Sequence, residues 1–255
     1  MSREESHAVA AAAPVTWLAS YPRSGNTLLR LILKHCFGLS SQSLYQDQDF
    51  ADPDVRTLVG HEDIGSNARQ FVAMARRAGR NLYVKTHEPP AADQRPAIYV
   101  VRDGRSAVVS HTHYLREVLH RDVSLADVIT GKAGQSWSQH VRAWAMPLRA
   151  NTLVVRYENL TTARPDVLAQ IAGFIGRPLQ RGFDLSFDHL HALHPAFFRR
   201  GCDAANIAEM KGASSRLFDQ HHGDMLRAMG FGVAGRNRSS PAQRDDHFER
   251  RTPRA

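Results

Sequence analysis

The stretch VTWLASYPRSGNTLLRLIL at positions 15–33 decides the fold of this chain. Six residues suited to a buried strand lead into a turn with proline and glycine, and a strongly apolar helix follows. Backbone N–H groups at the start of such a helix attract an anion, and the helix dipole adds to the attraction. Arg23 supplies positive charge, and Gly25 lets the backbone come close to a ligand. The stretch predicts a strand, an anion-binding loop and a helix that ends near Gly38.

Side-chain donors surround the glycine of this loop. Ser24, Asn26 and Thr27 can each donate a hydrogen bond to an anion. The loop lacks the leading glycine and the Gly-Lys-Ser/Thr ending of a Walker A motif, because Asn26 and Thr27 follow Gly25. A magnesium-nucleotide kinase is therefore disfavoured but stays open, and so does a plain strand-to-helix turn with a capping side chain.

The rest of the chain alternates β-rich runs with helical stretches. Strands are predicted at 82–84, 97–101 and 153–155, and helices at about 68–78, 104–119, 164–174 and 214–229. This alternation predicts an α/β fold, in which helices cover both faces of a parallel sheet. Ligands bind at the carboxyl ends of the strands in such sheets. Three polar motifs fall at that edge, so we expect them to form one site.

The second polar motif is YVKTHEP at positions 83–89. Lys85 and His87 alternate along a strand and are expected to point to one face. A histidine can act as a general base near neutral pH, and a lysine can stabilise negative charge on transferring or leaving oxygens. The pair suits the attack of a hydroxyl on an anionic group.

The third polar motif is VRDGRS at positions 101–106. Arg102 leaves the end of a strand and Ser110 follows about two helical turns later, so a guanidinium and a hydroxyl can share one phosphate. Asp103 is expected to cap the helix. Arg105 is expected at the surface, turned away from Arg102.

Basic residues recur late in the chain. Arg199, Arg200 and the amide of Gly201 can close over a phosphate, although a charged loop is usually only solvated. The formal net charge is +8, and part of the excess lies in the arginine-rich tail. The arginines inside the motifs favour a small anionic ligand over nucleic acid as a partner.

The length of 255 residues suits one large domain. We expect a flexible arm over 1–14, the domain over 15–233 and a basic, disordered tail over 234–255. No apolar run is long enough to span a bilayer, and the Ala-rich start lacks the features of a signal sequence. The two cysteines indicate reduced thiols, so a cytoplasmic location is expected.

Three histidines, His111, His113 and His120, lie close together in the sequence. They lack cysteines or carboxylates at the spacing of zinc ligands. No metal site is therefore expected.

Taken together, the motifs resemble the sulfotransferase family that uses 3′-phosphoadenosine 5′-phosphosulfate (PAPS). The resemblance runs from Trp17 to about Gly201 and implies a P-loop-like, three-layer fold around a central parallel sheet. Arg23 stands where the family often has lysine, and Leu28 stands where its cytosolic members have tryptophan. After Gly201, the sequence CDAA replaces a Gly-Asp-Trp-like segment.

The resemblance also assigns residues to roles. It implies His87 as the general base, with Lys85 and Arg23 stabilising charge. The loop at 23–27 resembles the part of the family that holds the 5′-phosphosulfate. The residues that it assigns to PAPS are Arg23, Ser24, Gly25, Asn26, Thr27, Leu28, Arg102, Ser110, Tyr157, Phe187, Arg199, Arg200 and Gly201.

The implied reaction is in-line transfer of a sulfonate group, without a metal, to a hydroxyl or amine of a small-molecule or glycan acceptor. Two alternatives stay open: a P-loop-type phosphotransferase that uses a nucleoside triphosphate, and a non-catalytic polyanion-binding protein. The sequence leaves open whether the chain is a monomer or a homo-oligomer.

Overall fold

The computed structural model describes residues 14–43, 45, 52–62, 76–77, 79–90, 94–193 and 203–232, with the side chains of 187, 188 and 193 excepted. The predicted arm and tail, and most of the predicted helix at 68–78, lie outside the described residues. So does the predicted loop of Arg199, Arg200 and Gly201.

A five-stranded parallel sheet forms the centre of the described part of the chain. Its strands are β1 (Val15–Ser20), β2 (Gln42–Ser43), β3 (Leu82–Thr86), β4 (Ala97–Val101) and β5 (Thr152–Arg156), in the order β2-β3-β1-β4-β5. In the central strand, Leu18 pairs with Lys85 on one side and with Ile98 on the other. The α/β fold predicted from the alternating pattern is confirmed.

Helices cover both faces of this sheet. They are α1 (Asn26–Phe37), α2 (Pro53–Val59), α3 (Gly104–His113), α4 (Leu125–Thr130), α5 (Trp137–Ala145), α6 (Tyr157–Thr161), α7 (Pro165–Ile175), α8 (Phe187–Leu193), α9 (Asp203–Glu209) and α10 (Gly212–Ala228). Helix α3 continues into a π-helical turn over Tyr114–Val118.

The two largest apolar clusters of the described residues lie on opposite faces of the sheet. On one face, Trp17 and Tyr99 pack with side chains of α3, α5 and α10, among them Trp137 and Phe218. On the other face, residues of the opposite parity, such as Leu18 and Ile98, pack with the apolar sides of α1 and α7. This alternation is the period of two expected for strands buried on both faces. Because the strands are parallel, the carboxyl ends of β1, β3, β4 and β5 lie at one edge of the sheet.

Candidate active site

The loop between β1 and α1 has the backbone of an anion-binding turn. Arg23 has a φ of 63° and Gly25 a φ of 102°, both in the left-handed region. The N–H of Leu29 donates to the carbonyl of Gly25 at 3.1 Å, so α1 begins directly after the glycine. The first N–H groups of a helix have no partner within the helix. The positive end of α1 therefore lies beside Arg23, as the sequence predicts.

Two buried polar atoms of this loop have no partner among the described residues. They are Oγ of Ser24 and Oδ1 of Asn26. The amide nitrogen of Asn26 donates to the carbonyl of Leu18 at 2.8 Å, which fixes the orientation of the side chain. Buried polar atoms in folded proteins are nearly always hydrogen-bonded. The Ser24 hydroxyl can therefore donate to an anionic ligand. Asn26 Oδ1 can only accept, and its amide nitrogen already donates to Leu18 and Ser20, so the predicted donation from Asn26 to an anion is wrong.

The ring of Tyr157, at the end of β5, joins this loop to Arg102. A Cβ at Gly25 would lie 2.5 Å from Cδ2 of Tyr157, so only glycine fits beside the ring. The guanidinium of Arg102 lies over the same ring, 4.3 Å from its centroid. Burial raises the pKa of the Tyr157 phenol, which keeps it neutral. The structure thus brings Gly25, Arg102 and Tyr157 together from three separate strand ends.

Arg102 follows β4 and is buried, with a side chain only 7% exposed. Its Nη1 donates to the carbonyl of Arg23 at 2.8 Å. Its Nε and Nη2 each lie 2.6 Å from Oδ1 of Asp203, at the start of α9. Sequence reasoning missed Asp203, although it is the first acidic residue after the predicted basic loop.

The neighbours of Arg102 in the chain form a separate network. Asp103 caps α3 by accepting from the backbone N–H of Arg105 at 2.9 Å, as predicted. The Arg105 side chain binds the same carboxylate and the carbonyl of Gly232. Ser110 lies half-buried on α3, one turn beyond Ser106. Its role as a phosphate ligand stays a prediction.

His87 is held in one orientation and one tautomer. Its Nδ1 lies 2.8 Å from the carbonyl oxygen of Ser20. Because a carbonyl only accepts hydrogen bonds, Nδ1 carries the proton and Nε2 carries the lone pair. The backbone N–H of His87 donates to the Tyr45 hydroxyl at 2.8 Å, and the two rings stack with centroids 5.8 Å apart. Nε2 of His140 lies 3.2 Å from the carbonyl of His87.

The electrostatics around His87 favour its neutral form. Burial, followed by the nearby Lys85 cation, holds the pKa of His87 well below its usual value of 6.5. A neutral imidazole is the form that accepts a proton. His87 is therefore uncharged at neutral pH, and its role as a base stays a prediction.

The predicted strand geometry of Lys85 and His87 needs a correction. Strand β3 ends at Thr86, so His87 follows the strand, and its contact with Ser20 orients it instead of strand alternation. Lys85 is buried, and its Nζ lies 5.7 Å from the centroid of the Tyr45 ring, which also stacks on His87. Both residues therefore adjoin Tyr45.

Further aromatic side chains extend the site beyond Arg23. The guanidinium of Arg23 lies 5.2 Å from the centroid of the Tyr114 ring. His111 lies within hydrogen-bond distance of the hydroxyl of buried Tyr21, at 3.3 Å. Burial and the charge of Arg23 lower the pKa of His111 to about 4. Sequence reasoning assigned no role to His111, because fourteen histidines occur in the chain and spacing does not distinguish it.

The remaining predicted residues are not all described. Thr27 and Leu28 lie in the first turn of α1, and Leu28 packs on the same apolar cluster as Tyr157. The backbone of Phe187 begins α8. Its side chain, and Arg199, Arg200 and Gly201, lie outside the described part. Among the described residues, no group of three or more His, Cys, Asp or Glu side chains could hold a metal ion.

A separate cavity of about 510 Å³ lies at the C-terminal end of α1. Lys34, His35 and Arg181 line it together with residues of α2. The anion loop lies at the other end of this twelve-residue helix, about 18 Å away at the rise of an α-helix. The cavity is therefore distinct from the candidate site.

Comparison with known proteins identifies the family. Residues 13–212 match the family model described as the sulfotransferase domain. This match covers well over half of the chain, which therefore belongs to the sulfotransferase family, as the motifs predict.

Two solved structures share the fold of this chain. The mouse sulfotransferase SULT7A1, in complex with PAP, has a TM-score of 0.61 at 20% identity, over 89% of this chain and 90% of its own. Retinol dehydratase, in complex with androsterone and the inactive cofactor PAP, has a TM-score of 0.56 at 17% identity, over 84% and 81%.

Curated relatives match over a smaller share of both chains. A WSCD family member of Drosophila melanogaster is 26% identical over 65% of this chain and 51% of its own length. Flavonol 3-sulfotransferase of Flaveria bidentis is 22% identical over 64% and 56%. The chain thus spans about half the length of the curated relatives that it matches. Among the described residues, no helix is long and apolar enough to cross a membrane.

Proposed function

We propose that this protein is a PAPS-dependent sulfotransferase, which transfers a sulfonate group to a hydroxyl or amine of a small-molecule or glycan acceptor. The observation that carries the proposal is His87. Its Nδ1 proton is committed to the Ser20 carbonyl at 2.8 Å, at the end of the strand that leads into the anion loop. Family membership and the PAP bound to two structural relatives support the same donor.

The anion loop and Arg102 are assigned to the two phosphate-bearing ends of PAPS. The start of α1, with Arg23 and the unpartnered hydroxyl of Ser24, suits the 5′-phosphosulfate. Arg102 suits the 3′-phosphate, because a guanidinium is a fork of donors that matches a phosphate. Tyr157 supports both places, since its ring touches both Gly25 and Arg102.

Further assignments complete the binding site. Ser110 and the later group Arg199, Arg200 and Gly201 add donors to the 3′-phosphate. Leu28 and Phe187 are assigned to the neighbourhood of the adenine. These assignments follow from the resemblance of the motifs to those of the family.

In the proposed reaction, the acceptor oxygen attacks the sulfur while His87 Nε2 takes its proton. A new O–S bond forms, and the bond between sulfur and the 5′-phosphate oxygen breaks. The electron pair stays on that phosphate oxygen, where Lys85 and Arg23 stabilise the added charge. These fixed cations and the helix N-terminus do for the transferring group what a metal ion does in phosphoryl transfer.

Titration calorimetry without magnesium tests the proposal. The ligands are 3′-phosphoadenosine 5′-phosphate (PAP), ADP and AMP. We expect PAP to bind at least about tenfold more tightly than either control, because each charge-assisted phosphate contact adds on the order of 1.5–3 kcal/mol. Equal binding of PAP and ADP would contradict a 3′-phosphate site and favour the phosphotransferase alternative.

A further inference from the structure

The contact between Arg102 and Asp203 lies where the proposed function places the 3′-phosphate. Asp203 Oδ1 is 2.6 Å from both Nε and Nη2, so the carboxylate occupies one edge of the guanidinium. Nη1 donates to the carbonyl of Arg23 at 2.8 Å, and the π face lies on Tyr157. Among the described residues, Asp203 is thus the one anionic partner seen for Arg102.

The donors of Arg102 set a limit on what else it can bind. A guanidinium has five N–H donors. Nε of Arg102 donates to Asp203 and Nη1 to the Arg23 carbonyl, and Nη2 is in ion-pair contact with the same Asp203 oxygen. A phosphate that approaches the Nε edge must displace the carboxylate. A phosphate that binds the other edge would place two anions, itself and the Asp203 carboxylate, on one guanidinium. Repulsion between like charges disfavours that arrangement.

Helix α9 does not depend on Asp203 for its position. Asn206 donates to Ser106 of α3 at 3.1 Å, and Glu209 lies 2.6 Å from Nε2 of His113. Met210, directly after the helix, is buried in the core cluster. The Asp203 side chain, by contrast, is 22% exposed, so it can rotate towards solvent without unseating the helix.

We propose that Asp203 is a built-in competitor of the 3′-phosphate, and this rests on the proposed function. Its carboxylate and the 3′-phosphate bind the guanidinium of Arg102 in turn. The competition lowers the affinity for nucleotides that carry a 3′-phosphate and leaves the affinity for those without one unchanged. Both PAPS and its product PAP carry that group, so the residue weakens product retention as well as donor binding.

Asparagine at position 203 gives the decisive variant. Asp203→Asn keeps the shape of the side chain and removes its charge. We expect PAP to bind roughly three- to tenfold more tightly, which is the size expected from removing one like charge near a protein surface. AMP binding should stay the same. The gain in PAP affinity should shrink as salt rises from about 50 to about 500 mM, because a shorter Debye length weakens the repulsion between the carboxylate and the phosphate.

The matched control is Glu209→Gln, which also removes one negative charge from α9. Glu209 pairs with His113 rather than with Arg102, so its PAP affinity should stay within about twofold of the original, the effect of a distant screened charge. Thermal melting of both variants checks that they fold. Asp203→Ala serves as a second variant and should shift PAP binding in the same direction.

Either of two results would overturn the inference. Weaker PAP binding in Asp203→Asn would mean that Asp203 positions Arg102 for the phosphate, and unchanged binding would mean that it does not act on this site. Arg102→Gln separates these results from a failure of the proposed function. If that variant keeps the preference of the original protein for PAP over AMP, Arg102 is not the 3′-phosphate ligand and the inference about Asp203 falls, whereas the proposed function falls only if the original protein itself shows no such preference. If the preference is lost, Arg102 is the 3′-phosphate ligand, and the Asp203 variants alone decide the role of Asp203.

Discussion

The surroundings of His87 and of Arg102 differ in the kind of partner that holds each side chain. The two residues follow β3 and β4, which flank β1 on either side. The His87 side chain is held by neutral groups, the Ser20 carbonyl at Nδ1 and the Tyr45 ring that stacks on the imidazole. Arg102 is held by the carboxylate of Asp203, an anion like the proposed ligand. A catalytic side chain gains from a fixed orientation, whereas a binding side chain with an exchangeable partner can tune affinity.

Replacing His87 gives the largest expected effect in this comparison. In His87→Ala, turnover should fall by about 10²- to 10⁴-fold, since a positioned general base contributes that much. PAP affinity should change by no more than about twofold, because the assigned phosphate contacts lie on other residues. Sulfonate transfer from PAPS and PAP calorimetry measure the two quantities.

The control for this experiment is His221→Ala, which removes an exposed histidine of α10. Its turnover should match that of the original protein. Normal turnover in His87→Ala would refute the base assignment and leave the nucleotide site standing.

Replacing Lys85 tests how the charges at the base are arranged. The imidazole must be neutral to act, and its lowered pKa keeps it neutral, so the activity of the original protein should stay level as pH falls from 8 to 6.5. Lys85→Met should lower turnover about 10- to 100-fold through lost charge stabilisation. It should also move the acid limb of the rate profile to higher pH, because removing a nearby cation raises the pKa of a histidine.

Rate profiles from pH 5 to 9 measure both effects of this variant. An acid limb that stays in place in Lys85→Met would show that Lys85 does not act on His87. The loss of turnover would then be due to the transferring group alone.

Removing the Tyr45 hydroxyl gives the smallest expected effect. Tyr45→Phe keeps the ring that stacks on His87 and removes the acceptor of its backbone N–H. Turnover should fall roughly three- to tenfold, the equivalent of one net hydrogen bond. The acid limb should not move, because no charge is lost. Tyr83→Phe, in the middle of β3, is the matched control and should leave turnover unchanged.

Much of the fold follows from the sequence because it depends on apolar periodicity. The four strands predicted from β-rich runs are found within two residues of their predicted bounds, and α7 and α10 likewise. Strand β2 was missed, since Gln42–Ser43 holds no apolar residue and is a strand only through its pairing with β3. Helix α5 was also missed, although Trp137 and Trp144 carry its buried side.

The candidate site also contains residues that the sequence could predict and residues that it could not. The positions of Arg23, Lys85, His87 and Arg102 at strand ends could be predicted, because parallel strands place their carboxyl ends at one edge. The carbonyl of Ser20 could not be predicted, because a backbone acceptor leaves no mark in the sequence. Asp203 could not be paired with Arg102 either, since about a hundred residues separate them.

The ring of Tyr157 occupies the volume that a side chain at position 25 would need. A side chain at position 25 therefore requires a smaller residue at 157, and that smaller residue removes the surface on which Arg102 lies. Positions 25, 102 and 157 thus form one packed unit drawn from three distant parts of the chain. A distant relative that keeps the glycine but has lost the aromatic ring has the loop sequence without the support behind it.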